Sequence, residues 1–130
     1  MAAFLVTIVG VFPGRAAIQK QIRETSPAGA VDYIRRAGLT GPMLNEYVFG
    51  NYLIWALPEQ KVFIDGYESA GVLPQFARWV TLAEDPDILL NKYRIRFCLL
   101  SKDSRMTQVL PHLAGWRKVY SDDLSTIFVR

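Results

Sequence analysis

Three short apolar runs, separated by helical patterns, constrain the fold of this chain more than any other feature. They are Met43–Asn45, Val62–Asp65 and Phe97–Leu100. Short apolar runs that alternate with helical patterns are typical of βαβ units, whose parallel strands are joined by right-handed crossovers. The sequence therefore predicts an α/β fold, a three-layer sandwich around a short, mostly parallel sheet.

Cap and turn signals place helices between these runs and a hairpin after them. Ser26 precedes a proline and Gly38 follows an apolar stripe, the usual signals at the two ends of a helix. Helices are expected over Pro27–Ala37, Asn51–Leu57, Leu73–Ala83 and Pro86–Tyr93, and from Asp103 or Ser104 towards Leu113. Two alternating runs then predict a C-terminal antiparallel β-hairpin, and they are Trp116–Tyr120 and Thr126–Val129.

The charged residues indicate a basic neck on a neutral domain. The net charge is +3 over 130 residues. Five basic and two acidic residues precede Gly41, whereas ten of each follow it. A nucleic-acid-binding surface would show a basic stripe interleaved with aromatic residues. The sequence therefore indicates no nucleic-acid partner.

The first residues form an apolar run that leaves two interpretations open. Ala2–Phe12 carries no charge over eleven residues and ends at a Pro-Gly-Arg turn. A spanning helix needs about 20 apolar residues and a signal peptide begins with a basic region, so the run fits neither. It is either an internal element of the domain or the end of a transmembrane helix, and we favour the second. The expected parts are an apolar stub at 1–14, a basic neck at 15–25 and a soluble α/β domain at 26–130.

Polar residues follow each predicted strand, where the carboxyl ends of parallel strands form one rim of the sheet. Open α/β sheets bind ligands at that rim. Polar loops also occur there without a ligand, because Asp and Asn cap the next helix, and this alternative stays open. The candidate ligand-binding residues are Asn45, Glu46, Tyr47, Asp65, Gly66 and Tyr67, with Lys102 and Asp103 as further candidates.

The sequence offers little for catalysis or for a metal. It has no phosphate loop, no dinucleotide fingerprint and no Ser-His-Asp constellation. Glu46 and Asp65 lack the spacing of a cation site, so we expect no metal and no cofactor. The single cysteine, Cys98, is expected in the core, and the single histidine, His112, is expected to be structural or exposed. Three aromatic residues are also expected in the core, namely Tyr52, Trp55 and Phe63.

Three sequence blocks together resemble a known family. They are NEYVFGNYLIWALPEQKVFIDG at 45–66, LLNKYRIRFCLLSKDS at 89–104 and GWRKVYSDDLSTIFVR at 115–130. The blocks resemble the C-terminal soluble domain of bacterial multi-spanning membrane glycosyltransferases of the GT-C type, which depend on polyprenyl phosphates. The resemblance covers about residues 26 to 130.

A more distant likeness is to the soluble domain of the oligosaccharyltransferase catalytic subunit. That domain recognises its acceptor peptide through a Trp-Trp-Asp-Tyr-Gly motif. The corresponding run here is Leu44–Val48, in which Glu46 keeps the acid and Tyr47 keeps the tyrosine. The two tryptophans and the glycine are absent, so the likeness implies only a generic site at Glu46 and Tyr47.

The family resemblance implies a non-catalytic role for this chain. In such families the catalytic acids and the lipid-linked donor site lie in membrane helices and their first loops. The chain would be an extracytoplasmic C-terminal domain, tethered to the membrane by its first residues. It would position a glycan or lipid-linked sugar acceptor, or cover the membrane-embedded active site. The alternative is a free-standing small α/β protein that binds a ligand or serves as an interaction domain.

Overall fold

The computed structural model describes residues 14–67 and 71–130 and forms six α-helices and four strands from them. The helices are α1 (Arg15–Thr25), α2 (Ala28–Ala37), α3 (Gly50–Ala56), α4 (Leu73–Val80), α5 (Pro86–Lys92) and α6 (Met106–Val109). The strands are β1 (Met43–Asn45), β2 (Phe97–Ser101), β3 (Arg117–Ser121) and β4 (Ser125–Val129). Short 3-10 helices precede α3 and follow α6, at Tyr47–Phe49 and Leu110–His112. All but the last residue of the predicted apolar stub lies outside the described residues.

The strands form one mixed sheet in the order β1-β2-β4-β3. β1 and β2 are parallel, with Met43 opposite Phe97, whereas β4 is antiparallel to both of its neighbours. The α/β class and the C-terminal hairpin are confirmed, but the sheet has a single parallel pair and is not mostly parallel as expected. The reason is that the predicted strand at Val62–Asp65 does not join the sheet, which leaves two parallel strands beside the antiparallel hairpin.

The segment expected as a second strand, Val62–Asp65, lies against the end of β1 without joining the sheet. The side chain of Asn45 takes the place of a partner strand. Its Oδ1 accepts hydrogen bonds from the backbone N–H groups of Phe63 at 2.8 Å and Ile64 at 3.3 Å. Its Nδ2 donates to the carbonyl of Ile64 at 2.8 Å. Because one amide side chain satisfies these backbone groups, the segment needs no backbone ladder, and the predicted strand was wrong.

Alternating side chains build a hydrophobic core on each face of the sheet. One face packs against α2 and α3 through Met43, Phe97, Leu99, Ile127 and Val129. The other face packs against α4, α5 and α6 through Leu44, Cys98, Leu100 and Phe128. Helices on both faces explain why the inner strands β2 and β4 are buried along almost their whole length. The three-layer arrangement predicted from the sequence is confirmed.

Local signals end most helices close to where the sequence predicts. After α2, Gly38 takes the left-handed conformation with a φ of 64°. At the start of α5, Asp85 Oδ1 accepts the backbone N–H of Asp87 at 3.0 Å. Helix α4 ends at Val80, earlier than expected, and the backbone of Leu82 then turns to a φ of 60°. Helix boundaries are thus set mainly by the residues just outside each helix.

Helix α1 covers the residues predicted as a basic neck and buries none of them. Lys20 and Glu24 pair at 3.8 Å on its exposed surface, a contact that contributes little to stability. Among the helices of the described ranges, none combines the length and apolar character that crossing a membrane requires.

Candidate functional site

The predicted site residues lie together at the carboxyl rim of β1, but Asn45 there is engaged in holding the backbone. Its side chain is fully buried. In addition to its bonds with residues 63 and 64, Nδ2 donates to the carbonyl of Glu46 at 3.0 Å. A side chain with no exposed surface makes no direct contact with a ligand, so Asn45 shapes this rim without lining it.

Glu46 connects the carboxyl ends of β1 and β2. Its backbone N–H donates to the carbonyl of Leu99 at 2.8 Å, and its Oε2 accepts the N–H of Ser101 at 3.2 Å. Burial raises the pKa of the Glu46 carboxyl, while hydrogen bonds from Ser101 and Ser104 act in the opposite direction. This half-buried acid therefore joins two strand ends and has a weakened tendency to ionise.

Asp65, Gly66 and Tyr67 form a turn next to the start of α3. Asp65 Oδ1 accepts the backbone N–H of Tyr67 at 2.6 Å, an Asx turn. The N–H of Gly66 donates to Asn51 Oδ1 at 3.0 Å. The turn is thus attached to α3, and that attachment brings the two halves of the predicted site together.

Three aromatic residues of this region face solvent. Tyr67 is 84% exposed and Tyr47 is 42% exposed. Trp55 was expected in the core, but it is 73% exposed. Helix α3 buries Leu53, and a residue two positions further along lies on a different face of a helix. The core prediction for Trp55 was wrong for that reason.

The remaining predicted residues divide between core and surface. Tyr52 and Phe63 are half-buried and pack against the two cores. Cys98 is buried as expected, and burial raises the pKa of its thiol. Lys102 and Asp103 are exposed in the turn after β2, and His112 is exposed. The carboxyl rim therefore combines exposed tyrosines with structural polar groups, and ligand binding there stays a prediction.

A groove lies at the opposite rim, where β1 and β2 begin. Its volume is about 810 Å³, within the range of small-molecule sites. It runs between the end of α2, the start of β1 and the segment after α3. We call it the apolar groove, because most of its lining is apolar: Ile34, Leu39, Pro42, Met43, Leu57, Val62, Phe63, Val72, Tyr93 and Ile95.

Most polar groups of the apolar groove are already paired with protein groups. Arg35 Nε contacts Glu59 Oε1 at 2.9 Å, and this hydrogen bond lowers the pKa of the Glu59 carboxyl. Gln60 Nε2 donates to the carbonyl of Gly41 at 2.7 Å. In the described part of the chain, the ammonium group of Lys61 has no carboxylate within ion-pair distance. Lys61 is thus the charged side chain that the groove leaves available.

A smaller cleft adjoins the apolar groove and is strongly basic. It has a volume of about 310 Å³, and Ile95 lines both cavities. We call it the arginine cleft, since its lining is Asn91, Arg94, Ile95, Arg96 and Arg130. Arg130 Nη1 donates to Asn91 Oδ1 at 2.7 Å, and its guanidinium group lies 5.8 Å from the centre of the Trp116 ring. Within 14–67 and 71–130, none of the three arginines forms an ion pair with a carboxylate.

The chemistry available at this rim is that of binding. Guanidinium groups donate hydrogen bonds to anions and stay protonated, and apolar walls accept aliphatic or aromatic groups. Across the described ranges, no group of three or more His, Cys, Asp or Glu residues is placed to hold a metal ion.

Sequence reasoning missed both cavities because it followed the rule for parallel sheets. That rule points to the carboxyl ends of strands, which here are bridged by Asn45 and Glu46. The available signals were weak: the turn-forming run GLTGP at 38–42 and two arginines that flank Ile95. Neither signal has a spacing that specifies a site.

Comparisons with known proteins found no similar protein: no family model matches the chain, and neither a curated protein nor a solved structure matches it.

Proposed function

We propose that this chain is a non-catalytic binding domain of a membrane glycosyltransferase-like protein. It would be extracytoplasmic, tethered through its N-terminal segment, and would hold a glycan or lipid-linked sugar acceptor beside the membrane-embedded active site. The apolar groove is the observation that carries the proposal, because it is a preformed cavity of about 810 Å³ next to unpaired cationic groups. The sequence blocks quoted above support the family assignment.

A binding role fits the way polar groups are used in the described residues. At the carboxyl rim, Asn45 and Glu46 hold backbone groups with their side chains. At the amino rim, where β1 and β2 begin, Arg35 and Glu59 form an ion pair with each other. General acid–base catalysis needs a titratable group within reach of a substrate proton, and these groups are instead occupied by protein partners.

The membrane part of the proposal is tested by the reading frame upstream of Met1. We expect it to encode several hydrophobic segments of about 20 residues each, as a multi-spanning glycosyltransferase requires. A reading frame that begins at Met1, with no spanning segment before it, would contradict the proposal.

The binding part is tested in the full-length protein by filling the apolar groove. Val62→Trp adds bulk to a half-buried wall of the groove, so we expect KM for the acceptor to rise at least tenfold while kcat changes little. Val48→Trp is the matched control, because Val48 is 72% exposed and does not line the groove. Equal KM values in the two variants, with unchanged unfolding temperatures, would exclude the groove as the acceptor site.

A second candidate is a free-standing ligand-binding protein, in which residues 1–13 would be part of the fold. The complete burial of β4 and the two cores around it favour a domain with its own stability. Removal of residues 1–13 discriminates between the candidates. The free-standing protein should lose stability, whereas the tethered domain should unfold at the same denaturant concentration and lose its association with membranes.

A further inference from the structure

The arginine cleft and the apolar groove are adjacent and differ in chemistry. This difference restricts which ligands can occupy both cavities at once. Ile95 lines both. The lining of the groove offers aliphatic and aromatic surface, and the lining of the cleft offers guanidinium groups. A ligand that occupies both cavities therefore needs an apolar portion joined to an anionic one.

The contact between Gly41 and Arg96 fixes the two cavities next to each other. A Cβ added to Gly41 would lie 2.5 Å from Cδ of Arg96, so the stem of this arginine lies directly over the groove wall. The backbone N–H of Arg96 donates to the carbonyl of Pro42 at 2.8 Å. Gly41 also has a φ of 106°, a conformation that favours glycine. The arginine stem can thus approach this closely because residue 41 is a glycine without a Cβ.

Arg94 lies at a position where arginine is unusual. It follows α5 and has a φ of 52°, the left-handed conformation that helix C-termini normally assign to glycine or asparagine. A residue with a Cβ is disfavoured in this conformation. The chain places a long cation here instead, on the wall of the arginine cleft.

Among the described residues that line the two cavities, cationic side chains outnumber carboxylates. The two cavities are lined by five cationic side chains and one carboxylate, and that carboxylate, Glu59, already pairs with Arg35. Lys61, Arg94, Arg96 and Arg130 therefore remain for an anionic partner. Guanidinium groups bind carboxylate and phosphate oxygens through paired hydrogen bonds.

We propose that the two cavities form one binding site for an aliphatic chain that carries an anionic head group, either a carboxylate or a phosphate monoester. The chain lies in the apolar groove and the head group contacts the arginine cleft. This inference rests on the proposed function only in taking the groove as the binding site, and it names the chemistry of the ligand.

The test uses the 130-residue chain and five soluble probes in calorimetric titrations below their micelle concentrations. Decanoate and decyl phosphate carry the two anionic head groups on the same chain. Decyl maltoside and decyltrimethylammonium replace the head with a neutral sugar or a cation, and inorganic phosphate lacks the chain. We expect decanoate and decyl phosphate to bind at least tenfold more tightly than the other three probes. The tighter of these two identifies the preferred head group.

Variants assign the two halves of the site separately. Arg94→Gln and Arg96→Gln should weaken both anionic probes at least fivefold and leave decyl maltoside unchanged. Val62→Trp should weaken every decyl probe. Arg23→Gln is the matched control, because it removes the same charge from α1, a helix with no buried residue, and it should change nothing. Thermal unfolding of each variant measures whether the fold is retained.

Several outcomes would overturn the inference. If the four ten-carbon probes bind equally, or if neither decanoate nor decyl phosphate binds, the arginines do not select the head group. If inorganic phosphate binds as tightly as decyl phosphate, the arginine cleft acts alone. Preferred binding of decyl maltoside would overturn the anionic ligand while leaving the proposed acceptor-binding function intact. The proposed acceptor-binding function is contradicted by a different result, namely equal KM values for the acceptor in the Val62→Trp and Val48→Trp variants of the full-length protein.

Discussion

At the scale of single residues, Asn45 shows how one buried side chain replaces a strand. Its amide satisfies two backbone N–H groups and two carbonyls at the end of β1. The sequence motif that suggested a binding residue is therefore a structural connection. Asn45 therefore shapes the backbone of this rim without being exposed to a ligand.

Replacing Asn45 with Ala should destabilise the fold by about 2–3 kcal/mol, because it leaves buried backbone groups without partners. Asn51→Ala is the matched control, since Asn51 holds the same segment through an exposed bond to Gly66 and should cost about 1 kcal/mol or less. Urea unfolding measures both. Equal losses would mean that burial does not set the value of these hydrogen bonds.

Glu46 should destabilise the fold when it is ionised. Burial raises its pKa above the ordinary value of 4.5, so the folded state holds the proton more tightly than the unfolded state. The resulting penalty is absent well below pH 4.5 and complete once the pH exceeds the raised pKa. Glu46→Gln keeps an oxygen for the N–H of Ser101 and removes the charge. We expect the variant to be at least as stable as the native chain at pH 7, with a difference that shrinks as the pH falls.

Denaturant unfolding between pH 3 and pH 8 measures this difference. Asp103→Asn is the control, because it removes a carboxylate that is exposed in the turn after β2. A Glu46→Gln advantage that grows towards low pH would have the wrong sign for a buried acid.

Gly50 marks a close approach between α3 and the segment after it. An added Cβ would overlap the carbonyl of Ile64 and lie 2.7 Å from Cα of Asp65. Alanine normally stabilises a helix relative to glycine by about 1 kcal/mol, but here the overlap should reverse the sign and cost about 1–3 kcal/mol. The control is Gly14→Ala, which meets nothing within 4 Å. A stabilising Gly50→Ala would show that α3 moves freely away from this segment.

At the scale of secondary structure, the C-terminal hairpin is organised around Asp122. Its Oδ1 accepts the backbone N–H groups of Leu124 at 2.8 Å and Ser125 at 2.7 Å. Its Oδ2 accepts the hydroxyl of Tyr120 at 2.5 Å. Burial by itself would raise the pKa of this carboxyl, but these hydrogen bonds outweigh it and lower the pKa. One carboxylate therefore fixes the turn that aligns β3 with the buried strand β4.

Asp122→Ala should cost about 1–2 kcal/mol at pH 7, because two turn N–H groups and the tyrosine hydroxyl lose their acceptor. The lowered pKa means that the stabilisation is present above the ordinary value of 3.8 and is lost as the pH falls through the folded value. The difference from the native chain should therefore shrink in strong acid. Asp123→Ala, at an exposed neighbouring position, serves as the control in the same urea titrations. A cost shared equally by both variants would contradict the specific role of Asp122.

At the scale of the whole molecule, the strand register concentrates charges that the sequence mixes. The carboxyl rim carries Glu46, Asp65, Asp103, Asp122 and Asp123 together with the cation Lys102. The basic residues at the amino rim are Arg94, Arg96, Arg117 and Arg130. Residues from Gly41 onward are neutral in sum, so the basic site appears only after folding.

The two cores share the sheet, and Cys98 at its centre reports on the whole molecule. Its thiol is fully buried between layers, and burial raises its pKa. We expect iodoacetamide to label Cys98 only when the molecule unfolds globally, so that the labelling rate follows the unfolding rate. Lys102→Cys supplies an exposed thiol in the same chain, and it should react at once under native conditions. Labelling of native Cys98 at a similar rate would indicate that the core opens locally.

The sequence by itself determined the α/β class, the helix termini at Gly38 and Asp85, the hairpin and the burial of Cys98. These features follow from local sequence patterns and from residues whose contacts lie only a few positions away in the chain. The tertiary structure decided where β4 lies, what Asn45 contacts and which rim carries the cavities. Those outcomes depend on contacts between residues such as Gly41 and Arg96, which are 55 positions apart in the chain. A periodic pattern records which face of an element is buried, but it does not record which element lies against that face.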